Sequence, residues 1–197
     1  MPDDLFEKLA HSGWAGIDLC LTDSDCESLL DWANNLMDNG HFSPAQMGRS
    51  SERHKDKLVR GDSTYWIDHS DHPTLFAALE NLRTQLNRNL FLGIQDFECH
   101  LAHYPPGAGY AKHLDQSPSF QPLLGERVIT FIVYLNKNWA PEDGGELKIF
   151  IDQDHPLSVE PLWGRMILFF SDRLWHEVAQ SKKDRWSLTG WFRRRRL

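Results

Sequence analysis

The hydrophobic pattern of the chain changes near Phe97, and this change limits the folds that the chain can adopt. Before that point, two segments carry apolar residues at helical spacing, whereas later apolar residues come in short or alternating runs between Gly, Pro and Asp. The runs are "FECHLAHY", "RVITFIVYL", "ELKIFI", "RMILFF", "HEVAQ" and "RWSLTGWF". Many short strands at this spacing predict an antiparallel sandwich, jelly roll or barrel. We therefore predict a mainly β fold with flanking helices.

The two helical segments are "DSDCESLLDWANNLMDNG" and "HPTLFAALENLRTQLNRNLFLG". The first offers Asp and Ser as caps and ends at Gly40, while the second begins with Pro73 and carries a leucine stripe as far as Gly93. We predict that both helices pack against the sheet-built core and carry no chemistry.

A chain of 197 residues, 41% apolar and 25% charged, is long enough for one sizeable core. We predict a single catalytic domain over 1–197, with helical support and an active-site loop over about 1–95, the β core over about 96–192, and a basic tail over 193–197. The tail sequence "RRRR" is interpreted as a solvated run, with a docking site for an acidic partner as the alternative.

Composition also bears on the compartment and on partners. The start, "MPDDLFEKLA", has no signal-peptide pattern, and no stretch approaches the ~18 apolar residues that span a bilayer, so we expect a cytoplasmic protein without a membrane partner. The formal charge of −7 makes general nucleic-acid binding an unfavourable interpretation. Cys20, Cys26 and Cys99 have no metal-like spacing and are expected to be reduced, structural thiols. The sequence indicates no oligomeric state.

The pattern His-x-Asp occurs three times, at His54, at His69 and at His113 in "YAKHLDQS". Residues two apart on a strand point to the same face, so His113 and Asp115 can present a nitrogen and an oxygen to one point. His176, in "SDRLWHEVAQS", starts a later run and would supply a third ligand if the two strands meet. Two histidines and one carboxylate form the ligand set of non-haem Fe(II) oxygenases.

Alternation in the last run puts Arg185, Ser187, Thr189 and Trp191 on one face. A buried Arg is costly unless an anion pairs with it, so this face predicts a ligand with a carboxylate, to which Tyr134 would add a phenol. The ligand 2-oxoglutarate has a carboxylate at one end and a metal-chelating group at the other. The alternative is a structural histidine at 176 and a surface ion pair at Arg185.

The same residues lie in blocks that resemble the prolyl 4-hydroxylase-like 2-oxoglutarate and Fe(II)-dependent dioxygenases, and among them the HIF prolyl hydroxylases and their bacterial relatives. The blocks, in order, are "VRGDSTYWI", "YPPGAGYAKHLDQ", "VYLNKNW", "GGELKIF", "EPLWGRMILFFSDRLWHEV" and "RWSLTGWF". They cover about two thirds of the chain, from Val59 to Phe192. The resemblance implies a double-stranded β-helix, or jelly-roll, core packed by the N-terminal helices.

The resemblance also implies a role for particular residues. It makes His113, Asp115 and His176 ligands of Fe(2+); Arg185, Tyr134, Thr189, Tyr104, Leu147 and Trp191 the 2-oxoglutarate pocket; and Arg127, Arg60, Gly61, Asp62 and Trp66 the substrate side. The "RGD" residues at 60–62 are interpreted as a mobile active-site loop and not as an integrin ligand. No side chain is assigned as a general acid or base.

The implied activity is hydroxylation of a prolyl residue in a protein, with 2-oxoglutarate and O2 as cosubstrates and ascorbate as a candidate additional factor. The resemblance to bacterial relatives suggests a bacterial protein and elongation factor Tu as substrate. Two alternatives stay open, namely the same chemistry on a free amino acid or an alkylated nucleobase, and a non-catalytic jelly-roll module that binds iron or 2-oxoglutarate. The chain has the metal ligands, the face that predicts a carboxylate ligand and the substrate-side residues together, and this full set favours an enzyme over a non-catalytic module.

Overall fold

The computed structural model of the chain describes residues 4–18, 20–45, 59–116, 125–152 and 155–195. Its helices are α1 (Leu5–Ser12), α2 (Asp23–Asp38) and α3 (Pro73–Leu90). Its strands are β1 (Trp14–Ile17), β2 (Ser43–Pro44), β3 (Ser63–Trp66), β4 (Asp96–Tyr104), β5 (Tyr110–His113), β6 (Glu126–Tyr134), β7 (Leu147–Phe150), β8 (Leu157–Val159), β9 (Met166–Phe170), β10 (Trp175–Val178) and β11 (Arg185–Arg194). A short 3-10 helix spans Pro141–Asp143.

The strands form two antiparallel sheets. The larger has the order β1-β9-β6-β11-β4-β3-β2, and the smaller has the order β5-β10-β7-β8. Buried side chains from both sheets, such as Tyr134 of the larger and Leu147 of the smaller, pack into one apolar cluster between them. The mainly β fold with a jelly-roll core and flanking helices, predicted from the sequence, is therefore confirmed.

The three helices pack on the opposite face of the larger sheet and form a second apolar cluster with it. Helix α2 begins where the Thr22 hydroxyl accepts a hydrogen bond from the main-chain N–H of Asp25, and α3 begins with Pro73 in its first turn. The two predicted helices are confirmed, whereas α1 and the short strands β1 to β3 were not predicted. Elements of two to eight residues carry too few apolar positions to establish a period.

The C-terminal arginines are not all part of a tail, and the predicted boundary at residue 193 is wrong. Strand β11 continues to Arg194, and Arg193 pairs with Asp96 and Glu98 at 2.8 Å each. Arg194 pairs with Glu126 at 3.0 Å. Acidic residues on the neighbouring strands β4 and β6 thus match the two arginines across the sheet. The last two residues, 196 and 197, lie outside the described residues.

None of the described helices is long and apolar enough to cross a membrane. The three cysteines form no disulfide, and Cys26 and Cys99 are buried in the cluster between the larger sheet and the helices. Burial raises the pKa of the Cys20 and Cys99 thiols to about 12, which keeps them protonated and poorly nucleophilic.

Candidate active site

The fold brings together the three side chains that the sequence offers as metal ligands. Strand β5 pairs with β10 so that His113 lies directly opposite His176. One ligand atom from each of these histidines and from Asp115 lies within 4.8 Å of the others. The Asp115 carboxylate is 3.6 Å from His113 Nε2 and 3.5 Å from His176 Nε2. Among the described residues, this is the one group of three or more His, Cys, Asp or Glu side chains close enough to hold a metal ion.

Asp115 reaches this point by a route that strand alternation does not explain. Strand β5 ends at His113, and Asp115 lies two residues later in a bend. The Thr130 hydroxyl donates to Asp115 Oδ2 at 2.7 Å and lies 2.9 Å from the Ser171 hydroxyl, while Gln116 N donates to the Ser171 carbonyl. The sequence therefore predicts correctly that the side chains of His113 and Asp115 converge, but the reason given, a shared strand face, is wrong.

The two imidazoles are oriented for metal binding. His113 Nδ1 lies 2.8 Å from the Ala111 carbonyl, and His176 Nδ1 lies 3.0 Å from the Leu174 carbonyl. If each Nδ1 carries the proton and donates it to the carbonyl, each Nε2 keeps its lone pair toward Asp115. Burial lowers the pKa of His176 to about 4, which keeps it neutral. A neutral imidazole is the form that a metal ion requires, so the donor set fits Fe(2+).

Arg185, at the start of β11, is 1% exposed and faces the interior between the sheets. Its Nε donates to the Gly145 carbonyl at 2.8 Å, and its Cζ lies 5.1 Å from the ring centroids of Tyr104 and of Tyr134. Within the described residues, neither Arg185 Nη2 nor the Tyr134 hydroxyl has a hydrogen-bond partner, although both are buried. Leu147 is fully buried in the same cluster. A buried guanidinium and a buried phenol that both have a donor to offer fit a carboxylate such as that of 2-oxoglutarate.

The residues that the sequence places on one face of β11 belong to two different parts of the site. Ser187 and Thr189 have hydroxyls 3.3 Å apart and lie between Arg185 and Trp191. At about 3.3 Å per residue, Trp191 is roughly 20 Å along the strand from Arg185. It pairs in register with Thr130, which bonds to Asp115. The indole therefore belongs to the metal end of the site and not to the guanidinium end.

Around Trp191 the structure assembles a second group of side chains, two of which the sequence predicts on the substrate side. The Arg127 Cζ lies 3.6 Å from the Trp191 ring centroid, and Arg127 also pairs with Glu98 at 2.7 Å. Trp66 is 51% exposed and lies 4.8 Å from the ring of His100, which is 5.4 Å from the Trp191 ring. This group forms an aromatic and cationic surface beside the metal ligands.

The "RGD" residues are fixed to the smaller sheet. Arg60 Nε donates to Asp62 Oδ1 at 2.7 Å, and Gly61 N donates to the Gly109 carbonyl at 2.9 Å. Arg60 also forms an isolated bridge with Tyr110 at the start of β5. Main-chain hydrogen bonds and an ion pair with a buried carboxylate thus hold residues 60–62 against the segment that leads into β5, while their role as a mobile active-site loop stays a prediction.

Sequence reasoning missed three residues of the site. Thr130 holds Asp115, Tyr110 stacks on His113 with 3.6 Å between ring centroids, and His100 lies between two indoles. Alternation along "FECHLAHY" puts His100 on the same face as Tyr104, so this signal was available. The other two depend on a bend and on an irregular strand, which the sequence pattern does not reveal.

Acid is expected to destabilise the metal-free protein partly through His100. Burial lowers the pKa of His100 to about 3, whereas in the unfolded chain it takes up a proton near pH 6.5. Protons then bind the unfolded state first, so the contribution to stability is present above pH 6.5 and is lost as the pH falls toward 3. Between pH 6.5 and 5.0 the loss is about 1 to 2 kcal/mol.

Urea unfolding at these two pH values measures this loss, and His100→Phe should remove it from the difference. A matched control is His155→Gln, at a histidine whose side chain is 88% exposed. An equal drop in stability for wild type and His100→Phe would contradict the assignment.

Comparison with known proteins agrees with this geometry. A family model described as the 2OG-Fe(II) oxygenase superfamily matches residues 99–193. A solved prolyl-4-hydroxylase from Pseudomonas putida is 35% identical, with a TM-score of 0.85 and full coverage of both chains. A prolyl hydroxylase from Trichoplax adhaerens, solved with a peptide fragment of the hypoxia inducible factor oxygen degradation domain, is 29% identical, with a TM-score of 0.85 over 96% of this chain and 87% of that one.

A similar curated relative is the hypoxia-inducible factor prolyl hydroxylase of Caenorhabditis elegans, which is 29% identical over 210 residues. The match covers 96% of this chain but only 28% of that protein. The chain therefore spans little more than a quarter of the length of this relative.

Proposed function

Because the chain belongs to the prolyl 4-hydroxylase-like 2-oxoglutarate- and Fe(II)-dependent oxygenases, we propose that it hydroxylates a prolyl residue of a protein while 2-oxoglutarate is decarboxylated to succinate. The observation that carries this proposal is the pairing of two features in one interior. These are the cluster of His113, Asp115 and His176, and the buried Arg185 and Tyr134, each of which has a polar atom without a hydrogen-bond partner among the described residues.

His113, Asp115 and His176 would hold Fe(2+) through two imidazoles and one carboxylate. With 2-oxoglutarate and O2 as cosubstrates, the iron supplies the oxidation that puts one oxygen atom into a C–H bond and the other into succinate. The protein's own residues supply position. Thr130 fixes the Asp115 carboxylate, and the carbonyls behind the two imidazoles fix their rings.

Arg185 and Tyr134 would bind the far carboxylate of 2-oxoglutarate. The Arg185 Nη2 and the Tyr134 hydroxyl can donate to the two oxygens of one carboxylate, and the Thr189 hydroxyl can support the ligand from the same strand face. Tyr104 and Leu147 line this interior and exclude water from it, which strengthens the ion pair. The role of these side chains is binding and orientation, and no proton transfer is assigned to them.

The substrate side is proposed to be the surface of Trp66, Arg127 and Trp191. A proline ring is apolar and packs well on indole, and Arg127 can donate to a main-chain carbonyl of a bound polypeptide. The Trichoplax adhaerens relative, solved with a peptide of hypoxia inducible factor, supports a polypeptide substrate. As the specific substrate we propose a prolyl loop of elongation factor Tu, which implies a bacterial, cytoplasmic location.

The arginine run gives little support to an alkylated nucleobase as substrate. Two of its four residues, Arg193 and Arg194, are committed to acidic partners on neighbouring strands. They are therefore poorly available to phosphate groups, which are the main source of nucleic-acid affinity.

The test is a turnover assay with purified protein, Fe(2+), 2-oxoglutarate and O2, with and without ascorbate. We expect succinate to form with a prolyl peptide from elongation factor Tu, and mass spectrometry to show one added oxygen on the proline. The matched control is the same peptide with alanine in place of that proline. Turnover on a free amino acid or alkylated nucleobase, and none on any prolyl peptide, would reject the proposed substrate class. Absence of succinate with every substrate would reject the enzyme.

A further inference from the structure

We propose that Arg60 and Asp62 hold the ring of His113 in its metal-binding position, and that they act through the ring of Tyr110. The proposal rests on the proposed function in one respect, because it takes His113 as an iron ligand. It makes the "RGD" residues positioning residues of the metal centre, in addition to any contact that they make with a substrate.

The link begins with a stacked pair. The rings of Tyr110 and His113 have centroids 3.6 Å apart and planes 18° apart. On a regular strand, residues three apart point to opposite faces. Here His113 pairs with His176 and Tyr110 pairs with Val178, so β5 uses three residue steps where β10 uses two. This β-bulge turns Tyr110 to the side of the metal-binding ring.

Arg60 extends the stack. Its Cζ lies 4.6 Å from the Tyr110 ring centroid, within the range of a cation–π contact. Two hydrogen bonds to Asp62, at 2.7 and 3.0 Å, fix the plane of the guanidinium. The Asp62 side chain is fully buried and that of Arg60 is 16% exposed. Burial favours the neutral form, but the Asp62 carboxylate outweighs it and holds the pKa of Arg60 above its ordinary value, so the guanidinium stays charged.

The backbone keeps the two segments at this distance. Gly61 N donates to the Gly109 carbonyl at 2.9 Å, and Ala111 N donates to the Val59 carbonyl at 2.8 Å. A Cβ at Gly61 would lie 2.9 Å from the Cβ of Ala108, which is closer than real side chains approach. Glycine is therefore required at position 61 for the contact between "RGD" and the segment leading into β5.

His113 needs this support more than His176 does. The His176 side chain is 4% exposed and packs against Phe169, with ring centroids 4.7 Å apart. The His113 side chain is 18% exposed and lies on β5, which among the described strands is at the edge of its sheet and pairs there with β10 alone. A ring held in place before the metal binds loses less conformational entropy on binding, so the stack should raise metal affinity.

The experiment measures the Kd for Mn(2+) by the electron paramagnetic resonance signal of the free ion, with no cosubstrate present. Tyr110→Leu removes the stacked ring and should raise the Kd about tenfold, within the range for residues that support metal ligands. Tyr110→Phe keeps the ring and should stay close to wild type. Arg60→Lys keeps a charge for Asp62 but loses the planar cation, so it should raise the Kd by less. Lys112→Gln is the matched control, since its ammonium lies over Phe150 and not over the stack.

The outcomes separate this proposal from the proposed function. If wild type binds no Mn(2+), the metal centre itself is rejected. If wild type binds and Tyr110→Leu binds equally well, the metal centre stands and the positioning role is overturned. If Tyr110→Leu does not fold, as judged by circular dichroism, Arg60→Lys decides, and an unchanged Kd there overturns the role. A rise in the Kd for Tyr110→Leu with recovery in Tyr110→Phe supports it.

Discussion

Asp115→Ala is expected to abolish 2-oxoglutarate turnover, with a loss of more than about 100-fold in affinity for Fe(2+). Residues that only support a metal ligand already cost about 10- to 100-fold when removed, and Asp115 supplies the one carboxylate of the set. Without it, His113 and His176 are two neutral ligands, and the charge of the bound ion is no longer matched. Succinate formation and a direct metal titration measure the two losses separately.

The sequence contains its own control for this experiment. Asp71 lies in another His-x-Asp triplet, with His69, but it accepts hydrogen bonds from Asp68 N at 2.9 Å and from the Tyr65 hydroxyl at 3.1 Å in a surface turn. Asp71→Ala should therefore keep both metal affinity and turnover. Turnover that survives in Asp115→Ala would show that the catalytic metal lies elsewhere. An equal loss of turnover in Asp71→Ala would show that the effect of Asp115→Ala is not specific to the metal site.

The three triplets also show how far sequence patterns lead. The triplet at His54 lies outside the described residues, and the other two are alike as strings of letters. What distinguishes His113 is the partner strand, because only the register of β5 with β10 brings His176 opposite it. The long helices and the strand-rich half are local patterns with many repeats, and both were predictable. The register between strands depends on contacts between distant segments, so the sequence pattern alone could not predict it.

Exceptions to regular structure account for much of what was not predicted. Asp115 lies beyond the end of its strand, and Tyr110 shares a side with His113 through a bulge. Both depart from the alternation on which sequence reasoning relies. The same limit applies at the C-terminus, where a charge pattern suggests a solvated tail. There, acidic residues on two neighbouring strands pair with Arg193 and Arg194 and keep them within β11.

Arg185→Met is expected to raise the Kd for 2-oxoglutarate by about 30-fold or more. Truncating one partner of a buried, hydrogen-bonded charge pair costs roughly 2–5 kcal/mol, largely because the other charge is left buried and unpaired. In the free protein the same guanidinium is itself incompletely satisfied, since Nε donates to the Gly145 carbonyl but Nη2 has no hydrogen-bond partner among the described residues. We therefore expect Arg185→Met to fold without a large loss of stability while it loses binding.

Unfolding with and without ligand tests both parts of this expectation. With Mn(2+) present and 2-oxoglutarate at 100 times the wild-type Kd, the ligand should stabilise wild type by about 2.7 kcal/mol. A variant with 100-fold weaker binding should gain only about 0.4 kcal/mol under the same conditions. Arg83→Met is the control, because Arg83 pairs with Glu80 on α3 and should leave the ligand effect intact. If the ligand stabilises Arg185→Met as much as wild type, the carboxylate binds elsewhere. The Arg185 Nη2 and the Tyr134 hydroxyl, which lack partners within the described part of the chain, would then need another explanation.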